Sequence, residues 1–508
     1  MRDGLNVVFI QIDSLNRHLM GCYGNPGVRT PNLDALAGRA VRLDGHFTGS
    51  LPCMPARREI WAGSEEMWWR PWGPLEPWDR PVAHEAGKAG VTTGLVTDHY
   101  HLLEWGAHDY VYDFASYEFV RGHEFDNFRT DPPDAELLAD LPDWARLMVS
   151  RRPETLQYVK NVQGVIREED FFAPRVMTAA ARWLERNRNQ ERFYLHVDSF
   201  DIHEPFHVPE PYRSMYTDLD YRAFDPWPRY GRVDDPEQPF TPDALAWLRA
   251  QYAGKLTMTD AWLGRVFDAL DRHGLWEETA VIVTTDHGHY LGEHGRIGKP
   301  ASPLWAEMTH IPCLACLPGV AAGSTGAVTQ TVDHYATILE LLGVPVPREE
   351  FIHSRSFAPV LQGERAAHRE QAVFGYASDR QGITRDGWTL LRDQDGTAAD
   401  AHWYSLTVGQ LDSRSFEART GRAHAFELTP GFFVPGVPMP QWRMPAGGAR
   451  KAAPRPDLLY HDAEDPGQAV NLAETHPEKV RELEAALAGH LRAVGAPEEQ
   501  FRRLRLEP

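Results

Sequence analysis

Residues 5–13, Leu5-Asn6-Val7-Val8-Phe9-Ile10-Gln11-Ile12-Asp13, decide the fold class. The run is apolar, rich in β-branched side chains and too short for a helix, so it reads as a buried strand that delivers an acid at its carboxyl end. In an open α/β sheet that end is where ligands sit. The design recurs in VTTGLVTDH (91–99), RFYLHVDSF (192–200) and TAVIVTTDHG (279–288), each a strand with polar residues at its exit. Helical stretches alternate with these strands: PNLDALAGRA at 31–40, a short one at 81–90, an amphipathic one within 164–188, and a long one within 241–273. Such alternation predicts an α/β fold with a mostly parallel sheet flanked by helices.

After about residue 370 the character changes. QAVFGYASDRQGITRDGWTLLRDQDG has short strand-like pieces and turn signals, which predict a smaller C-terminal antiparallel-sheet subdomain. The expected division is 1–370 for the large domain and 371–508 for the small one. Residues 421–457, rich in Pro, Gly and aromatics, read as an extended excursion and a candidate subunit contact for a homo-oligomer. In 475–494, Leu483, Ala486, Leu487 and Leu491 share one face of an amphipathic helix.

Composition narrows the class. The 508 residues carry 52 Lys plus Arg against 72 Asp plus Glu, a net charge of −20. A strongly acidic chain gains nothing from counterion release on a polyanion, which argues against nucleic acid as a partner. Hydrophobic residues at 42% and aromatics at 11% exclude a disordered chain. No long uncharged apolar run suggests a membrane span, and no signal peptide is expected, so the anticipated compartment is cytoplasmic. Four cysteines are too few for a disulfide scaffold; Cys313 and Cys316, in IPCLACLPG, read as buried strand residues and Cys22 as a core or turn residue.

The chemistry concentrates in Leu51-Pro52-Cys53-Met54-Pro55-Ala56-Arg57. A cysteine at a helix start with an arginine one turn on sits where negative charge is favoured. Asp13, Asp286 and His287 stand at the ends of two apolar strands and can converge across a parallel sheet. Two carboxylates and an imidazole suit a divalent cation, without the thiolates of structural zinc. The alternative for the two acids is capping of the helices that follow their strands.

Cys53-x-Pro55-x-Arg57, followed by Ile60-Trp61-Ala62-Gly63, resembles the signature of the type I sulfatases of the alkaline phosphatase superfamily. Thr30-Pro31-Asn32-Leu33-Asp34, Thr285-Asp286-His287-Gly288, Gly292-Glu293-His294-Gly295 and the closing Leu459-Tyr460, Asp465-Pro466 and Asn471-Leu472-Ala473 extend the resemblance over nearly the whole chain. It implies an alkaline-phosphatase-like fold and hydrolysis of small-molecule sulfate esters, with phosphonate monoesters or phosphodiesters as the alternative substrates. It implies that Cys53 is oxidised to formylglycine by a separate formylglycine-generating enzyme. Asp13, Asp286, His287 and residue 53 would hold one divalent ion. A hydroxyl of the hydrated aldehyde would attack sulfur or phosphorus in line, and the second hydroxyl would let the covalent ester collapse. Arg57 would hold the oxygens of residue 53.

The same resemblance assigns Lys299 to the transferred oxygens, His203 to the leaving oxygen and His101 to breakdown of the intermediate. Asp98-His99-Tyr100-His101 departs from the family's Gly-Lys-x-His: His99 takes the lysine's place as a substrate-binding group that titrates near neutrality. Ser14 stands where many sulfatases carry a further metal-binding aspartate, which makes Mn2+ a competitor of Ca2+, with Mg2+ a third candidate, and brings the chain nearer the phosphonate monoester hydrolase and choline sulfatase branches. Among softer signals, Arg121, His123 and Glu124 are candidates for a polar substrate pocket. Trp68 and Trp69, with Trp72 and Trp78, wall that pocket or fill the core.

Overall fold

The computed structural model describes residues 4–70, 72–104, 110–131, 145–146, 149–150, 153–236, 239–301, 303–394, 401–407, 428–445 and 455–507. The strands used below are β1 (Asn6–Ile12), β2 (Val41–Leu43), β3 (Ser50–Leu51), β4 (Thr92–Thr97), β5 (Ser116–Phe119), β6 (Phe193–Ser199), β7 (Thr279–Thr284), β8 (Cys313–Cys316), β9 (Gly323–Thr325), β10 (Gln371–Tyr376), β11 (Gln381–Arg385), β12 (Trp388–Arg392) and β13 (Leu458–His461). The helices used below are α1 (Pro31–Ala37), α2 (Cys53–Ala62), α3 (Val82–Lys88), α4 (Phe172–Asn187), α5 (Pro242–Arg272), α6 (Asp333–Leu341) and α7 (Pro477–Ala493).

The central sheet runs β9-β2-β8-β7-β1-β6-β4-β5. β1 pairs in parallel with β6 and β7, and only β8 runs against its neighbours. Every residue of β1 is buried, because the strand is covered on both faces. Val8, Ile10 and Ile12 pack with Met177, Leu184, Leu256 and Leu263 of α4 and α5. Val7 and Phe9 pack on the other face with Ile60 of α2 and Ile338 and Leu339 of α6. At about 1.5–3 kcal/mol for each large apolar side chain fully buried, the two layers hold the sheet rigid. Its carboxyl edge is therefore a fixed platform.

The expected strands and helices are present, with one shift. The amphipathic stretch at 164–188 becomes helical only from Phe172. Before it, Asp170 accepts from the Arg167 backbone N–H at 2.9 Å and closes a separate turn, and Pro174 stands in the first turn of α4, where a missing N–H costs nothing. Cys313 and Cys316 lie buried in β8, and all four cysteines are free thiols.

The smaller sheet runs β13-β12-β11-β10-β3. It is antiparallel except at its edge, where β3 joins β10 in parallel, Ser50 opposite Gly375 and Leu51 opposite Tyr376. The N-terminal part of the chain thus contributes a strand to this sheet, immediately before α2. α7 lays Leu483, Leu487 and Leu491 on it, against Val373, Ile383 and Leu390, with Ala486 at the margin. Of the 421–457 excursion, residues 428–445 and 455–457 are described; within it, residues 429–431 and 441–445 are strands of a three-stranded sheet with 402–405. No described helix is long and apolar enough to cross a membrane.

Candidate active site

Three strand ends and one helix start build the site. Asp13 follows β1, Asp198 is the penultimate residue of β6, and Asp286 and His287 follow β7. Cys53 is the first residue of α2, delivered by β3. The backbone at Gly288 admits no side chain, since a Cβ there would lie 1.8 Å from the Glu307 carbonyl oxygen. That close approach fixes the turn carrying His287.

The ligand atoms of Asp13, Cys53, Asp286 and His287 all lie within 4.8 Å of one another, and all four residues are buried. Cys53 Sγ is 3.3 Å from His287 Nε2 and 3.9 Å from Asp13 Oδ1. Lys299 Nζ donates to the same sulfur at 3.0 Å. His287 Nδ1 is turned to the Gly288 carbonyl at 2.9 Å, which leaves Nε2 for the cluster. Arg57 lies beneath: Nη1 is 3.0 Å from Asp13 and 2.8 Å from Asp286, while Nε and Nη2 bond both oxygens of Asp198 at 3.1 and 2.7 Å.

Charge counting tests whether these residues fit a cation. Asp13, Asp198 and Asp286 face two protein cations, Arg57 and Lys299, so the buried cluster carries an excess of carboxylate. Buried charge is tolerated when paired, and the donor set of carboxylates and one imidazole suits a divalent ion. The residues fit. Burial raises the Asp13 carboxyl, but Lys299 and Arg57 outweigh it and hold it well below the usual range. Burial and then Asp13 push the Cys53 thiol well above its usual range, despite Lys299. Burial would lower Lys299; Cys53 and Asp13 reverse this and keep it a firm cation.

Histidines stand around this centre. His99 is fully buried, neither ring nitrogen has a hydrogen-bond partner, and burial with Arg57 holds it neutral. His203 Nδ1 lies 2.7 Å from the Glu204 carbonyl oxygen and 3.2 Å from Glu124 Oε1. His101 lies between Glu104 at 2.8 Å and Glu124 at 3.5 Å; burial lowers it, and these two carboxylates outweigh burial and raise it. Trp72 meets His101 edge-on at 4.8 Å between ring centres.

Other expected pocket residues are placed elsewhere. Trp68 and Trp69 pack with Met67, Trp78, Leu483 and Leu487 against the smaller sheet. Trp68 Nε1 donates to Glu65, and Trp69 meets Tyr404 edge-on. Arg121 forks onto Asp126 with two 2.7 Å bonds, and His123 pairs with Asp201 at 3.0 Å. Among the described residues neither is hydrogen-bonded or ion-paired to Cys53, Lys299 or the ligand cluster. Ser14 Oγ donates to Asp13 at 2.7 Å, so it supports a ligand where it supplies no carboxylate of its own.

Two residues escaped the sequence reading. Asp198 fastens Arg57, and its signal was present: FYLHVDS is a third apolar strand delivering an acid. His289 is buried with neither ring nitrogen hydrogen-bonded, Nδ1 lies 4.0 Å from Glu204, and the ring stacks on Tyr252 at 6.0 Å; its place two residues beyond His287 carried no sign of this.

Known proteins bear on this arrangement. The sulfatase family model matches residues 5–344. The multifunctional alkaline phosphatase superfamily protein PehA of Trinickia caryophylli is 26% identical over 417 residues, covering 70% of this chain and 77% of that one. The phosphonate monoester hydrolase of Agrobacterium radiobacter superposes with a TM-score of 0.63 at 21% identity, covering 97% and 95% of the two chains. A 2-O GAG sulfatase superposes with a TM-score of 0.62 at 16% identity, covering 97% and 93%.

Proposed function

The chain belongs to the sulfatase family, in the alkaline phosphatase superfamily of hydrolases, and from that premise we propose that it is a metal-dependent sulfatase working through formylglycine made from Cys53. One observation carries the reading: Asp13, Cys53, Asp286 and His287 converge within 4.8 Å, and Lys299 reaches the Cys53 sulfur. Oxidation of Cys53 by a formylglycine-generating enzyme supplies a hydrated aldehyde, a nucleophile with a second hydroxyl for release. Asp13, Asp286, His287 and residue 53 would hold one Ca2+ or Mn2+ ion, or Mg2+, which supplies positive charge against a tetrahedral anion.

The chain's own residues divide the remaining work. Lys299, a firm cation beside residue 53, binds oxygens of the transferred group without changing protonation. Arg57 is locked by Asp198 and holds Asp13 and Asp286 in place; its planar fork does this where a lysine could not. His99, neutral and unpartnered, offers a hydrogen bond to the same group. His203, with Nδ1 engaged by the Glu204 carbonyl, keeps Nε2 for the leaving oxygen. His101, close by, assists release of the bound ester.

The substrate class that fits is a small ester of a tetrahedral monoanion. A second reading, hydrolysis of phosphonate monoesters or phosphodiesters by the same groups, is favoured by Ser14 and by neutral His99. Both are departures from the pattern most sulfatases of this family show at those positions; all three ester types carry a single negative charge, so charge alone does not separate them. The test is turnover of a sulfate-ester, phosphonate-monoester and phosphodiester panel by protein whose Cys53 conversion is verified by peptide mass spectrometry. Highest kcat/KM on sulfate esters supports the first reading. Highest kcat/KM on phosphorus esters selects the second, and full activity from unconverted thiol protein removes both.

A further inference from the structure

Glu124 is the residue that the sequence singled out and the site has not yet used. It is buried, at 5% exposure, and its carboxylate spans two histidines: Oε1 lies 3.2 Å from His203 Nδ1 and Oε2 lies 3.5 Å from His101 Nε2. The backbone that presents it is unusual. Glu124 has φ of +43°, in the left-handed region that costs a residue with a Cβ about 1 kcal/mol or more. Its flanks hold it there. Asp126 takes the Arg121 fork and the Gly122 N–H at 2.7 Å. Asn161 Nδ2 donates to the Asp126 carbonyl at 2.7 Å, and His123 is tied to Asp201, itself 2.6 Å from Lys255 Nζ. That lysine also donates to the carbonyls of His203 and Pro205 at 2.6 and 2.8 Å. One buried pair therefore braces both the loop of Glu124 and the loop of His203.

Resting on the reading of His203 given above, we propose that Glu124 is a positioning residue for it: its carboxylate, which also pairs with His101, orients the His203 ring and stabilises its imidazolium from the Nδ1 side. The logic is that of a carboxylate behind a catalytic histidine, which fixes tautomer and orientation and favours the cation without taking the proton itself. When His203 gives its Nε2 proton to the leaving oxygen, the O–H bond forms as the bond to sulfur or phosphorus breaks. The neutral Nδ1–H tautomer that remains is still held by Glu124 and the Glu204 carbonyl. The counterweight is needed, since burial and then Lys299 hold His203 well below its usual range. The charged and titratable groups acting on His203 are Glu124, Glu204, Lys299, Asp13, His123 and His99. Those facing His101 are Glu104, Glu124, Tyr100 and His99.

The experiment uses metal-loaded, Cys53-converted enzyme and compares an unactivated alkyl ester with the 4-nitrophenyl ester of the same oxyacid across neutral pH. Glu124→Gln should lower kcat on the alkyl ester about 10–100-fold, the usual cost of losing an orienting partner. On the nitrophenyl ester, which hardly needs a proton, the loss should stay within about threefold, with KM little changed. Removing the carboxylate lowers the His203 pKa, so the alkaline limb for the alkyl ester should move to lower pH by about one unit. Glu124→Asp, which keeps the charge, should recover part of both effects. In a His203→Ala background, adding Glu124→Gln should cost the alkyl ester little more. Equal losses on both esters, an unmoved alkaline limb, or a full additional loss in the His203→Ala background would overturn the inference and leave the role of His203 standing. If His203→Ala itself shows no leaving-group dependence, the acid assignment falls, and the role of Glu124 falls with it.

Discussion

Asp198→Asn perturbs a buried carboxylate that neither joins the ligand cluster nor faces residue 53. The substitution keeps shape and volume and changes charge and donor pattern. Asp198 accepts from Arg57 Nε at 3.1 Å and from Nη2 at 2.7 Å, both side chains fully buried. Asparagine offers one acceptor oxygen to that fork and turns an NH2 toward the second N–H. One charge-assisted bond is lost, at about 1.5–3 kcal/mol, and the other weakens to a neutral one. The expected total is about 2–4 kcal/mol, below the about 3–5 kcal/mol for removing one partner of a buried pair outright, because Arg57 retains Asp13 and Asp286. It should appear as a lower thermal midpoint in metal-free protein. The second effect is on charge: the carboxylate excess shrinks by one and Arg57 is freer to rotate, so affinity for the divalent ion should fall about 10–100-fold. Calorimetric titration of the metal-free variant measures this, and excess metal should restore most of the rate. Asp198→Asn with wild-type melting and wild-type metal affinity would refute the argument that Arg57 is fixed from below.

Asp13→Ala, Asp286→Ala and His287→Ala should each lower both metal occupancy and rate, and prolonged chelation should inactivate the wild type; elemental analysis finding no metal in fully active enzyme would reject the ligand set. Glu59, two residues beyond Arg57 on the same helix, is pushed up to about 8 by burial despite bonds from Ser50 and Thr331. The folded state then binds more protons than the unfolded chain between the ordinary glutamate value and about 8, so stability should fall as pH rises through that window. Glu59→Gln should flatten the slope, and an unchanged pH dependence of the melt would exclude Glu59 as its source. Trp68→Ala should cost about 3–5 kcal/mol of stability as a buried aromatic with little change in kcat. Trp72→Ala, edge-on to His101, should change kcat more than the melt; the reverse pattern would exchange their roles.

What the sequence made legible follows from how strongly each feature is encoded locally. β1 and β7 were readable because a strand buried on both faces must be continuously apolar, so an acid at its end stands out; Asp13 and Asp286 announced themselves by contrast. Asp198 obeys the same rule at the end of β6, yet without the fold nothing said that Arg57 would reach it from α2. The tryptophans were ambiguous because a large apolar ring looks alike in sequence whether it lines a pocket or a core. Only the placement of α7 over β11 and β12 assigns Trp68 and Trp69 to the interior and leaves Trp72 at His101. Glu124 was the hardest. Its pairing with His101 and His203 joins three segments through a left-handed turn, and that turn depends on Asp126, Asn161 and the Lys255–Asp201 pair at a distance. The site's histidines are spaced by strand ends, whereas the carboxylate between them is placed by loops, and loop geometry is set by such distant partners, not by periodicity. The motif residues of this site are therefore visible in the chain, and the residues that aim them are visible only in the fold.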